Sequence, residues 1–199
     1  MRHNYTMNIP RHFWILTGLM ALFTALRWPE MLPWNFSPVY AIFLCAGVFF
    51  RDRRLWLIPV GFMLISDLLM NALYYQPLGF SVFQPKLLVS YALYLGLACL
   101  GSALTDKARF GTLLAGGLLG GSLFYLATNT LSWAGDAGYA KTWAGWVQSI
   151  TTGKPGFHPP AWVFFRNSAV SGALFTAVIV LAVQLARRPA EDEKKFELA

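Results

Sequence analysis

An all-α integral membrane protein, with six transmembrane helices and both termini in the cytoplasm, is the fold class this sequence predicts. Three observations predict it. The 199 residues are 56% apolar and 16% aromatic, with only 13% charged, which is a membrane composition rather than a soluble one. The apolar residues gather in six stretches separated by short loops, and a bilayer crossing needs roughly 20 such residues. Of the 16 Lys and Arg, all but Arg27, Lys86, Lys141, Lys154 and Arg166 fall in the N-terminus, 51–54, 105–109 and the tail. The positive-inside rule puts those four segments in the cytoplasm. The net charge of +7 is thus a topology signal, and no nucleic-acid partner is expected. One domain, 1–186, is expected, followed by a charged tail, 187–199, without regular structure.

The first helix is expected over 13–26. Arg2 and Arg11 before an apolar run resemble a signal peptide, but no small-x-small cleavage site leads into a soluble domain, so a retained helix is expected. Ala21 and Ala25 stand four apart with Gly18 before them, a spacing that admits a close-packed partner helix. In the loop 27–37, Pro29 and Pro33 prevent regular helix, and Trp28 and Trp34 suit a membrane interface. The second helix, 38–50, has proline at its first turn and is short for a span. The loop 51–54 is basic.

The third helix, 55–75, carries Asp67 and, four residues on, Asn71. Val60, Leu64 and Tyr74 are expected on the same stripe. Asp67 lies about 12 Å inside the helix end at 1.5 Å per residue. A carboxylate there costs at least about 2.5–3.5 kcal/mol, so it needs a partner or a function. The fourth helix, 86–104, repeats Lys86, Ser90 and Tyr94 every four residues. The fifth, 110–130, holds two overlapped G-x-x-x-G pairs, Gly116/Gly120 and Gly117/Gly121, a close-packing surface. The loop 131–160 is long and aromatic, as lids and binding loops are, and Trp143, Trp146 and Ile150 suggest an interfacial helix within it. The sixth helix, 161–186, opens with Arg166 and Asn167.

In this topology the polar residues of the helices collect near the outer face. They are Arg27, Asn35, Asp67, Asn71, Lys86, Tyr94, Asn129, Arg166 and Asn167, and they are the candidate substrate-binding residues. Asp67 and Arg166, two charges at similar depth, are expected to pair. Lys141 and Lys154 are expected only to snorkel. Cys45 and Cys99 sit in apolar runs as core filler. His3, His12 and His158 are too scattered for a metal site, and no metal is expected. The H-E-x-x-H, G-x-S-x-G and C-x-x-C patterns are all absent, so no catalytic residue is assigned.

The segments Asn35-Phe-Ser-Pro-Val-Tyr-Ala41, Ile65-Ser-Asp67, Ser122-Leu-Phe-Tyr-Leu-Ala-Thr-Asn129 with Trp133, Tyr139-Ala-Lys-Thr142 and Phe164-Phe-Arg-Asn-Ser168 resemble a family of uncharacterised six-helix bacterial membrane proteins. The layout also resembles the substrate-binding S-components of energy-coupling-factor (ECF) vitamin transporters. That resemblance implies an outward-facing site beneath the loops. It also implies that Ala21 and Ala25 contact a coupling subunit, itself served by ATPase subunits. The solitary cobalamin-binding S-components are a distant analogue. Here the loop 76–85 has no cysteine, and Trp28 rather than histidine follows Arg27, which departs from a corrinoid site.

The resulting expectation is a multi-pass protein of a bacterial cytoplasmic membrane that binds and takes up a small, vitamin-like molecule. No cofactor is assigned. Asp67 would fix Arg166, leaving Arg27 and Lys86 for an anionic or carbonyl-bearing substrate, with Trp28, Trp34 and Trp143 covering a flat ring. The alternatives are an integral-membrane enzyme acting on a lipid or lipid-linked substrate, with Asp67 as acid or base, and a structural subunit held together by the polar cluster.

Overall fold

The computed structural model describes residues 11–79 and 86–197, with side chains over 12–79 and 87–187. These residues form seven α-helices: α1 (Arg11–Ala25), α2 (Val39–Phe49), α3 (Leu57–Met70), α4 (Lys86–Ser102), α5 (Phe110–Gly135), α6 (Trp143–Ile150) and α7 (Ala161–Glu197). A 3-10 turn (Arg53–Trp56) leads into α3. A π-helical turn (Asn71–Tyr75) and a second 3-10 turn (Gln76–Leu78) lead out of it. Three helical stretches are long and apolar enough to cross a membrane, Arg53–Leu78, Phe110–Gly135 and Ala161–Arg187. His12–Ala25, Val39–Phe49 and Leu87–Ser102 are apolar but shorter.

The shortest of these apolar helices is the innermost. In α2 every residue from Val39 to Val48 is buried, as expected of a helix that is hydrophobic on all sides. α4, α7, α5 and α1 pack around it. Close approach to α4 needs glycine: a Cβ on Gly47 would lie 2.0 Å from the Ala98 carbonyl oxygen, and one on Gly101 would lie 2.0 Å from that of Leu44.

The most extensive helix contact joins α5 to α7, and the glycine pairs of α5 divide between two neighbours. A Cβ on Gly121 would stand 2.1 Å from the Ser168 carbonyl oxygen, and one on Gly117 would stand 2.4 Å from that of Gly172. Gly116 and Gly120 meet Leu104 and Leu97 instead. Across the middle, Tyr94 stacks between Phe43 at 5.0 Å and Phe124 at 5.5 Å. Phe124 in turn meets Tyr40 at 5.0 Å.

α3 packs on α1 at the edge of the bundle. Its buried face is Pro59, Met63, Asp67 and Met70, joined by Asn71. Leu64, expected on that stripe, is 47% exposed. A four-residue step overshoots a 3.6-residue turn, so the single step from half-buried Val60 carries Leu64 further from the face that Met63 centres.

α7 continues through Glu197 rather than giving way to irregular chain after residue 186. The stretch 190–197 is rich in Glu and Lys, both strong helix formers, and spaces Glu191 four residues from Lys195.

Candidate functional site

The bundle has two polar ends of different character. At one, Asp106 receives Arg187 at 3.2 Å and Arg51 at 4.0 Å. The other is formed by the C-terminal ends of α1, α3 and α5, the N-terminal ends of α2, α4 and α7, and α6. This near end holds the groups that the sequence singles out.

The loop between α1 and α2 folds back on itself to make the site. Glu30 and Asn35 take left-handed backbone conformations, φ 70° and 59°, which are uncommon for residues other than glycine and tighten the curl. The Asn35 carbonyl lies 3.4 Å from the hydroxyls of Tyr40 and Ser168, which donate to it. Asn167 donates to the Trp34 carbonyl at 2.9 Å. Loop and α7 are thereby tied together.

Arg27, just past the end of α1, turns inward to α3. Its Nη2 stands 2.8 Å from Asp67 Oδ1, with side-chain exposures of 14% and 6%. Nη1 approaches Met63 Sδ at 3.1 Å and Ser66 Oγ at 3.5 Å. Tyr91 of α4 donates to Asp67 Oδ2 at 2.9 Å. Both carboxylate oxygens are therefore engaged, one by a cation and one by a hydroxyl. A charge this deep requires that satisfaction.

This corrects the expected Asp67–Arg166 pair. Arg166 is exposed, bonds the Asn167 side-chain oxygen at 3.3 and 3.4 Å, and lies 5.6 Å over the Trp162 ring. The reason is neighbourhood: α3 packs on α1, whereas α7 packs on α5, α2 and α1. Equal depth did not mean adjacency.

Above the pair is a cavity of about 510 Å³, lined by Arg27, Trp28, Glu30, Trp34 and Asn35 of the loop and by Tyr74, Tyr75 and Leu78 after α3. Tyr74 donates to Glu30 Oε1 at 2.8 Å and so bridges the two walls. The π turn over Asn71–Tyr75 shifts the register at the end of α3, next to this wall.

The other predicted residues divide. Asn71 is buried on the Asp67 face. Tyr94 belongs to the aromatic stack and does not line the cavity. Asn129 donates to Tyr125 O of its own helix at 3.0 Å, away from the cavity. Lys86 opens α4, but its side chain lies outside the described residues. Trp28 and Trp34 reach the cavity, whereas Trp143 does not; it is 75% exposed and stacks on Trp146 at 4.6 Å.

The sequence reading missed Ser66, Tyr91, Glu30 and the Tyr74 contact. Tyr91 was within reach of helical arithmetic: it stands three residues before buried Tyr94, on the inward face, while the Lys86–Ser90–Tyr94 stripe runs beside it. Glu30 had no periodic signal because it lies in a proline-broken loop.

The loop after α5 is pinned by groups expected only to snorkel. Lys154 pairs with Asp136 and covers the Tyr139 ring at 5.7 Å. Lys141 donates to the Trp133 carbonyl, and to that of Asp136 at 2.6 Å. The hydrogen bond from Lys154, with that from the Gly138 amide, holds the Asp136 carboxyl below its ordinary range. Tyr125 donates to the carbonyls of Ile150 and Ala161 at 3.0 and 2.8 Å, fastening α6 to the start of α7.

Among the described residues no cluster of three or more His, Cys, Asp or Glu could hold a metal. No curated protein and no solved structure matches this chain. One family profile matches it over residues 7–194, nearly its whole length. By that match the chain belongs to DUF6580, a family of unknown function.

Proposed function

We propose that the chain is a small-molecule binding and uptake protein of the S-component type. It crosses a bacterial cytoplasmic membrane six times, with both termini in the cytoplasm and the near end facing out. The observation that best supports this is the cavity of about 510 Å³ floored by Arg27 and walled by aromatic side chains. A concave site with a few converging polar groups suits a small ligand. The Arg27–Asp67–Tyr91 cluster gives that floor a fixed geometry, because each partner locks the other's rotamer. A proton pump would instead string titratable groups across the membrane.

Ala21 and Ala25 line an apolar groove of about 460 Å³ between α1 and α3, with Phe62 and Ile65 opposite. In this reading the groove accepts a helix of a coupling subunit, which links the chain to its ATPase subunits. Small residues at such a surface allow close backbone approach.

The direct test is mass spectrometry of small molecules released from the purified protein, followed by uptake of the released molecule into cells. Uptake that is lost when Ala21 and Ala25 are both changed to Leu, with binding retained, is the expected result. A protein that releases no soluble molecule and holds ordered lipid between its helices would overturn the reading in favour of a membrane enzyme.

A further inference from the structure

The charge balance of the cavity carries an inference about its ligand, resting on the reading of that cavity as a binding site. Among the described residues, the charged groups that line it are Arg27 and Glu30. Arg27 has its counter-charge in place, since Asp67 stands 2.8 Å away and is nearly buried. A ligand above the pair meets a compensated dipole rather than a free cation. Among the described residues no cation pairs with the Glu30 carboxylate: Oε1 accepts from the neutral hydroxyl of Tyr74 at 2.8 Å. A carboxylate offers about four lone-pair sites, so capacity to accept remains. Summed over the described charges Arg27, Asp67 and Glu30, the formal charge is one negative; the Lys86 side chain lies outside the described residues.

The walls agree with that sign. Trp34, Tyr74 and Tyr75 line the same space, and aromatic ring faces attract cations, most strongly when the cation is poorly hydrated. We propose that the site takes an organic cation, an amine or quaternary ammonium carried on an apolar or aromatic body, with Glu30 as the specificity-determining residue. The proposal differs from the anionic substrate expected from Arg27 and Lys86 because Arg27 is ion-paired with Asp67.

The test is isothermal titration of the full chain in non-ionic detergent with three probes: benzyltrimethylammonium, benzyl alcohol and benzoate. The ammonium is expected to bind at least about tenfold tighter than either of the others, the order of one ring or one charge contact. Glu30→Gln is expected to weaken ammonium binding about tenfold, with benzyl alcohol unchanged, and Glu30→Asp to retain most of the affinity. Ammonium binding should also weaken with added salt while benzyl alcohol binding does not, which tests the same charge without a variant. Benzoate binding as tightly as the ammonium, or Glu30→Gln leaving the ammonium affinity intact, would overturn the proposal. The uptake reading fails separately: a chain that binds the ammonium but transports nothing keeps this inference and loses that one. A released, transported anion does the reverse.

Discussion

Removing Arg27 or Asp67 alone should damage the protein far more than removing both. The pair is separated by 2.8 Å, with side chains 14% and 6% exposed. Charges about 4 Å apart at an effective dielectric near 20 attract by about 4 kcal/mol. Truncating one partner of a buried pair costs a similar amount, about 3–5 kcal/mol, because the other charge is stranded. In Arg27→Gln the stranded group is Asp67, left with the Tyr91 hydroxyl. In Asp67→Asn it is Arg27, left with Met63 and Ser66. A chain of this length loses roughly 2–4 °C of melting temperature per kcal/mol, so each single variant should melt roughly 10 °C lower in detergent. The double variant Arg27→Gln/Asp67→Asn strands no charge and should recover most of that loss. Arg166→Gln should melt close to the wild type, since Arg166 is exposed and its hydrogen bonds among the described residues go to neighbouring Asn167. Thermal melts of the four variants decide the matter. Additive losses in the double variant would refute the pairing, and a large loss from Arg166→Gln would restore it as the partner of Asp67.

Further outcomes follow from the same geometry. Tyr91→Phe deletes a hydrogen bond to a charged group and should cost about 1.5–3 kcal/mol in chemical unfolding, without the recovery expected of the charge pair. Gly121→Ala forces a Cβ to within 2.1 Å of the Ser168 carbonyl oxygen. It should destabilise by about 1–3 kcal/mol in the same assay, whereas Gly18→Ala, with no atom within 4 Å, should not. Asp136 has its pKa lowered by Lys154, so the tether stabilises the segment 136–160 above the ordinary aspartate value of 3.8 and is lost as pH falls through the depressed folded value. Proteolysis of that segment should accelerate only in that acidic window, and at all higher pH values in Lys154→Met. Single cysteines introduced over 148–156 should react with an impermeant label from outside and those over 106–109 only from inside; the opposite pattern would invert the topology.

Much of the architecture was legible because helices declare themselves locally. Apolar runs bounded by proline, glycine and charge marked 38–50 and 86–104, against observed α2 (Val39–Phe49) and α4 (Lys86–Ser102). The spacing of Trp143, Trp146 and Ile150 marked α6. The glycines of α5 marked a close contact, and Asp67 marked itself by its cost. Each of these signals depends on residues within a turn or two of one another, and that range is what a sequence displays directly.

Tertiary structure alone decided which groups meet. Depth along the helices pointed to Arg166 as the partner of Asp67 and left Arg27 and Lys86 to a substrate. The packing of α3 on α1 selected Arg27, and Tyr91 of α4 added a hydroxyl at 2.9 Å. Packing sent Gly117 and Gly121 to α7, and Gly116 and Gly120 to the leucines of α4 and its following turn. The left-handed turns at Glu30 and Asn35 curl a proline-broken loop so that Glu30 lines the same cavity as Arg27. Helix formation is set by near neighbours along the chain, but the sign of a binding site is set by which distant charges lie within a few ångströms, and only the packed bundle fixes those distances.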